Sequence, residues 1–480
     1  MPWEEGPVDN PFMEVSAVKP SRCLFALFLL LLCACAAGLP APTATAVPGY
    51  TIRGVSVVDV EKGVLVPDQT VVIAGERILK IAGPDATGVP RTTHNVDGQG
   101  LYLMPGLVDA HVHFFDPPVF GRLMLANGVL LVRDTGQVTA EALKVRDELN
   151  AGTLLGPEMI ATGYLLDGVP PSIPQIALGL GTPAEARAAV RQQAQAGVDQ
   201  LKVYSRLEKD VYLAILDEAR KVGLKLVGHV PEAVYVEDAV AAGQSSIEHL
   251  HGFDKLIGKL LGGPITLRAE GMGTDSRYWA RLGEVKPDAL QGALRRIAAS
   301  GVAVCPTVIV FQKGANLRQF QSGEHALSEY VSPMIREIWK SLWDPSQQDA
   351  VGEMWRPMQA FVGELHKAGV TLMVGTDLVF PGIMPGFSVH EEMALWQEAG
   401  VPAADVLRSA TIVPARFMGL DERLGTVAEG KAASLVLVRA NPLEDIRNAA
   451  QVESVFLRGQ HSSRLDLDRL LQEARELARE

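Results

Sequence analysis

The sequence predicts an α/β chain: a (β/α)8 TIM barrel with a small discontinuous β-sandwich built from both chain ends. Three observations carry this. Short apolar runs repeatedly end in residues able to bind metal: Met104 to Ala110 before His111-Val112-His113, then Gln200-Leu201-Lys202-Val203-Tyr204, Leu226-Val227-Gly228-His229-Val230, Ser246-Ile247-Glu248-His249-Leu250 and Met373-Val374-Gly375-Thr376-Asp377. Helix-patterned segments separate the middle runs, which is the rhythm of a parallel fold whose loops converge on one face. Finally, β-branched runs such as Val55-Ser56-Val57-Val58 and Thr70-Val71-Val72-Ile73 recur after the barrel as Ser434 to Val438 and Val452 to Leu457.

Taken in order, residues 1–35 read as a lipoprotein signal peptide, because Leu24 to Leu32 is apolar, too short to span a bilayer and preceded by Lys19 and Arg22. Leu32-Cys33-Ala34-Cys35 resembles a lipobox, so Cys35 is the expected lipidation site, with simple cleavage near Ala37 the alternative. The acidic segment before Met13 makes Met13 an alternative start. An exported protein, periplasmic or at the cell surface, is expected, touching the membrane only through that anchor. Residues 36–50, rich in Ala, Pro and Thr, read as a tether, and 51–104 as the first part of the sandwich.

The barrel is expected over 105–417. Within it Thr182-Pro183-Ala184-Glu185 supplies an N-cap, a proline at the first helical position and a capping-box glutamate, for a helix running to Gly197. Further helices are expected from Leu207 to Gly223 and from Tyr235 to Gly243, and Val302 to Thr307 reads as the seventh strand with a buried Cys305 thiol. Residues 311–370, with Trp339, Trp343 and Trp355, read as a helical lid insertion. The sandwich resumes over 418–462, and 463–480 has leucines at helical spacing.

Side chains alternate along a strand, so His111 and His113 share a face and can reach one metal ion. The ordered set of motifs resembles the amidohydrolase superfamily, in its imidazolonepropionase-like and metal-dependent prolidase (Xaa-Pro dipeptidase)-like branch. The resemblance runs from about Thr51 to His461 and includes Val132-Arg133-Asp134-Thr135-Gly136, Ala410-Thr411 and Leu424 to Ala433. It implies that His111, His113 and Asp377 bind a more buried metal and His229 and His249 a more exposed one. Lys202 has no lone pair as an ammonium; the resemblance implies that carbon dioxide carboxylates it into an anionic ligand bridging two divalent ions, zinc first. A metal-bridging hydroxide is then the nucleophile and Asp377 the proton carrier. Tyr204, two residues beyond Lys202, is expected at the substrate carboxylate or at the oxyanion, with an ordinary inward aromatic as the alternative. His251 and His390 are weaker substrate-contact candidates, the favoured alternatives being a loop-surface or ligand-supporting role for His251 and a helix-entry histidine for His390.

The expected function is therefore hydrolysis of amide C–N bonds, in Xaa-Pro-like dipeptides or N-acyl amino acids. The alternatives are a one-metal cyclic amidohydrolase, which leaves Lys202 without a role, and a non-catalytic metal- or peptide-binding lipoprotein, which has no need of Asp377 as a base. A net charge of -12 over 480 residues argues against nucleic acid as partner. The four cysteines, Cys23, Cys33, Cys35 and Cys305, leave no disulfide after processing. The remaining expected partner is a small-molecule or dipeptide substrate, with homo-oligomerisation left open.

Overall fold

The computed structural model describes residues 46–263, 274–322, 325–342 and 345–480. The signal peptide, Cys35, most of the tether and Trp343 lie outside the described residues. The chain opens with strands β1 (Val47–Asp59), β2 (Val64–Ala74), β3 (Arg77–Ala82), β4 (Thr92–Asp97) and β5 (Tyr102–Pro105). The parallel strands follow: β6 (Leu107–Val112), β7 (Val129–Asp134), β8 (Glu158–Ala161), β9 (Leu165–Asp167), β10 (Ala177–Gly179), β11 (Leu201–Val203), β12 (Leu226–Gly228), β13 (Ser246–Glu248), β14 (Ala303–Cys305) and β15 (Thr371–Leu372). Strands β16 (Leu435–Val438), β17 (Val452–Leu457) and β18 (Gln460–Ser462) close the series.

Strands from the two chain ends share one sheet, in the order β18-β17-β16-β5-β1-β2-β3 with β4 beside β1. The join is β16 antiparallel to β5, Leu435 opposite Pro105. At the far end of the path β3 turns back towards β16: Ile78 N donates to Lys431 O at 2.9 Å and Ala433 N to Glu76 O at 2.8 Å. Ile52, Val71, Ile73, Leu103, Leu435 and Phe456 form a core of their own beneath this sheet. Residues 47–50, expected in the tether, belong to β1: Tyr50 lies opposite Ile73 of β2 and stacks on His94 of β4, ring centroids 5.1 Å apart. An aromatic that finds cross-strand partners on both sides is held in the sheet despite the Pro and Gly next to it.

The remaining strands make a TIM-barrel-like α/β arrangement. They form two parallel sheets, β6-β7-β8 and β10-β9-β11-β12-β13-β14-β15. Buried runs such as Leu201-Lys202-Val203 and Leu226-Val227-Gly228 suit strands covered on both faces. The sheets meet at both ends. Asp199 N, just before β11, donates to Ala161 O of β8 at 2.9 Å, and Ala110 N of β6 donates to Val374 O beyond β15 at 2.9 Å.

The capping box forms as its residues predict, with Thr182 Oγ1 accepting from Glu185 N and Glu185 accepting from Thr182 N, and the helix Pro183–Ala196 stops at left-handed Gly197. The next two helices are Lys209–Val222 and Val236–Ala241. The stretch expected as a lid is in good part core: Gln348–Lys367 buries Met354, Met358 and Phe361, and the Phe361 ring meets those of Phe253 and Trp279 edge-on, at 5.3 Å and 5.2 Å. Apolar residues at helical spacing packed under β15 explain why this helix is covered rather than covering. The last helix, Arg464–Leu477, is capped by Ser463 and Asp466.

Candidate metal centre

His111 ends the inward face of β6, and His113 stands one residue past the strand. Both Nε2 atoms reach Asp377 Oδ1, at 3.2 Å and 3.4 Å. Asp377 follows β15 with φ +59°, a left-handed conformation rare for a non-glycine residue, held by its N–H donating to His111 O at 2.8 Å. Lys202, in the middle of β11, is buried, with Nζ 3.3 Å from His111 Nε2. His229 follows β12. There β11 and β12 run so close that a Cβ on Gly228, whose φ is +127°, would lie 2.2 Å from Val203 O.

His249 completes the ring of imidazoles, its centroid 4.5 Å from that of His111 and 4.9 Å from that of His229. Strand alternation alone would turn His249 away from the inward face occupied by Ser246 and Glu248, whose side chains bond to each other at 2.5 Å. The left-handed turn at His249, φ +55°, brings its own ring inward as well.

Each imidazole has one nitrogen pinned by the protein. His111 Nδ1 donates to Glu248 Oε2 at 2.8 Å, and His113 Nδ1 to Gly136 O at 2.7 Å. His229 Nδ1 pairs with Ser205 Oγ and His249 Nδ1 with Thr307 Oγ1, both at 2.7 Å. Such contacts set ring orientation and tautomer at metal sites. His229 Nε2 is buried with no hydrogen-bond partner. An unpartnered buried nitrogen is costly, and a divalent ion is the partner this donor set fits. The ligand atoms of His111, His113 and Asp377 all lie within 4.8 Å of one another.

The electrostatics favour ligation. Burial, then the positive charge of neighbouring groups, depresses His229 well below the usual imidazole range, and burial does the same to His249 against the upward pull of Asp377, which keeps both rings neutral and their lone pairs available. Burial raises the pKa of Asp377, but the His249 and His111 imidazoles and the hydrogen bonds from His111 and His113 hold it well below the usual carboxylate range. Burial draws the Lys202 ammonium down to about 8, against the pull of Glu248 and Asp377.

Several supporting residues have no assigned role in the sequence reading. Arg133 Nη2 reaches both Glu248 oxygens, at 3.0 Å and 3.1 Å, so a buried ion pair stands behind His111. Asp109 accepts from His111 N, Thr376 N and Thr376 Oγ1 at 3.2, 3.0 and 2.6 Å, tying β6 to the segment that carries Asp377. Ser205 and Thr307 orient the other two rings. The available signal was charge: Arg133 and Glu248 are opposite charges inside apolar strand runs, and a buried charge needs a partner.

Of the weaker candidates, Tyr204 is brought to the cluster, its ring 4.1 Å from that of His229, and burial pushes its phenol pKa up. His251 is also brought in, buried and stacked on His229 at 3.9 Å. His390 is not. Its Nε2 donates to Asn127 O at 2.9 Å, two residues before β7 begins, whereas His113 meets Gly136 beyond the other end of that strand. His390 sits early in the helix Phe387–Glu398, which packs on the helices Val308–Gly314 and Ala403–Ser409, and its bond to Asn127 holds it away from the candidate metal ligands.

The Amidohydrolase family model matches residues 102–461. Over 183 residues, 35% of this chain, the sequence is 28% identical to an adenine deaminase of Methanosarcina barkeri (strain Fusaro / DSM 804); the match spans 32% of that protein, so the chain covers about a third of the curated relative's length. Among solved structures, a Bifidobacterium longum protein named "putative prolidase" is 28% identical with a TM-score of 0.64, over 89% of this chain and 99% of that one. Bottromycin amidohydrolase is 25% identical with a TM-score of 0.70, over 91% and 92%.

Proposed function

The chain belongs to the amidohydrolase family, and from that premise we propose that it is a binuclear metal-dependent hydrolase of amide C–N bonds, acting on Xaa-Pro-like dipeptides or N-acyl amino acids. The observation that carries the reading is Lys202, a buried amine 3.3 Å from His111 Nε2 on the strand next to the one that delivers His229. A lysine left as a cation would repel divalent ions there. As the neutral amine it attacks carbon dioxide, the N–C bond forms and one proton leaves, giving a carbamate anion that completes both donor sets. His111, His113 and Asp377 would hold one ion, His229 and His249 the other, and Lys202 both. Zinc ions in these places supply Lewis acidity for the scissile carbonyl.

The chain's own residues do the rest. Asp377, kept ionised, takes the proton of the attacking water and passes it to the leaving nitrogen. Tyr204, beside His229, meets the substrate carboxylate or backs the developing oxyanion, and His251 borders the same space. The likeness to the Bifidobacterium longum protein supports dipeptides as the first substrates to try. The deaminase likeness, confined to part of each chain, agrees with C–N bond hydrolysis.

The same reading takes the parallel strands as one closed (β/α)8 barrel over 105–417, supported by the bridge from Val112 to Leu378. It takes 51–104 and 418–462 as a sandwich, supported by the return of β3 to the residues before β16. Export, with lipid on Cys35 as the membrane anchor, belongs to it too.

The test is metal content together with turnover on a panel of dipeptides and N-acyl amino acids, with zinc and bicarbonate supplied. About two metals per chain are expected, falling in Lys202→Ala, with cleavage lost in Asp377→Asn. One metal per chain with turnover of cyclic amides would overturn the two-metal reading, and no turnover on any substrate would leave a binding protein.

A further inference from the structure

A buried carboxylate outside the ligand set reaches the metal centre indirectly. Glu392 lies on the helix Phe387–Glu398, and its side chain is fully covered. Its Oε1 accepts from Val308 N at 3.0 Å and from Trp396 Nε1 at 2.7 Å, and its Oε2 accepts from Ile309 N at 2.7 Å. Val308 and Ile309 open the helix Val308–Gly314, and the residue before them is Thr307. Thr307 is buried with φ +46°, and its Oγ1 stands 2.7 Å from His249 Nδ1. We infer that Glu392 is a positioning residue for the metal centre: through the Val308 and Ile309 amides it holds the turn that presents the Thr307 hydroxyl to His249.

Three physical points support this. A β-branched residue in the left-handed region persists only where its surroundings over-determine it, and the two amides after Thr307 are the ones Glu392 holds. The two consecutive N–H groups go to different oxygens here, Val308 N to Oε1 and Ile309 N to Oε2; a glutamine has only one oxygen, and its NH2 would face a donor. Burying a carboxylate here costs more than packing an apolar side chain, so its retention calls for a role beyond filling space. The pair Lys313–Glu391, at 2.8 Å, ties the same two helices nearer the surface and offers a control that does not touch Thr307.

The inference rests on the two-metal reading above. The experiment compares zinc stoichiometry, zinc affinity against a competing chelator, and thermal unfolding of the metal-free protein in wild type, Glu392→Gln, Thr307→Val, the double variant, Thr307→Ser and Glu391→Gln. Glu392→Gln and Thr307→Val should each weaken the more loosely held zinc about 10- to 100-fold while the tighter zinc stays. The double variant should be no worse than the worse single one, because both act through one chain of contacts. Thr307→Ser and Glu391→Gln should match wild type. Should Glu392→Gln not fold, Glu392→Asp, which keeps both oxygens but draws them back, carries the same comparison. Lowered thermal stability with unchanged zinc affinity would overturn the inference, as would additive losses in the double variant. Wild-type protein that binds no zinc would overturn the two-metal reading and this inference with it.

Discussion

The rings of His111 and His249 stand 4.5 Å apart, yet different forces hold them. Behind His111 lies a buried ion pair, Glu248–Arg133, and its backbone is clamped by Asp109. His229 and His249 lean on neutral hydroxyls, Ser205 and Thr307. Charge-assisted hydrogen bonds are roughly twice as strong as neutral ones, but a buried charge that loses its partner is far more costly than a hydroxyl that does. The His111 side is therefore stiff and intolerant of change. On the His229/His249 side the loss of one hydroxyl strands no charge, which under the proposed two-metal reading suits the ion that faces substrate.

The sharpest way to break this contrast is Glu248→Ala, which strands the Arg133 guanidinium in the core. A loss of about 3–5 kcal/mol is expected in denaturant unfolding of the metal-free protein, and a loss no larger than that of Ser205→Ala would show that the two sides are alike. Ser205→Ala itself should lower stability by only about 1 kcal/mol. Its effect belongs in metal binding: the looser zinc weakens by about tenfold in chelator competition while the tighter one is unmoved.

The last comparison concerns Lys202, which the proposed two-metal reading places between both sides. Its pKa is lowered to about 8, so the neutral amine is the minor form at pH 7 and the major one at pH 9. In metal-free protein at fixed dissolved carbon dioxide, the initial rate of carboxylation, read by carbon-13 NMR or by zinc loading, should rise by about tenfold over that interval. A flat profile would mean that the amine is not the group that reacts.

Much of this was legible in the residues. His111-Val112-His113 announced a shared face because alternation is local, and Thr182-Pro183-Ala184-Glu185 announced its helix because a capping box closes within one turn. Glu248 and Arg133 stood in plain view as charges in apolar runs, but their pairing spans 115 residues and nothing local selects it. His390 shows the converse: soon after the Asp377 strand it allowed either a substrate contact or a helix-entry histidine, and it stands early in the helix Phe387–Glu398, bonded to Asn127 O at the other end of β7.

The sequence by itself determined which residues could bind metal and that they stand in or just beyond short apolar strand segments, because hydrophobic periodicity and donor chemistry are properties of short segments. Only the tertiary structure decided which nitrogen of each ring is pinned, which charges neutralise each other in the core, and that left-handed turns at His249, Thr307 and Asp377 aim these side chains inward. Those outcomes depend on contacts between strands far apart in the chain, whose energies exist only once the strands lie side by side.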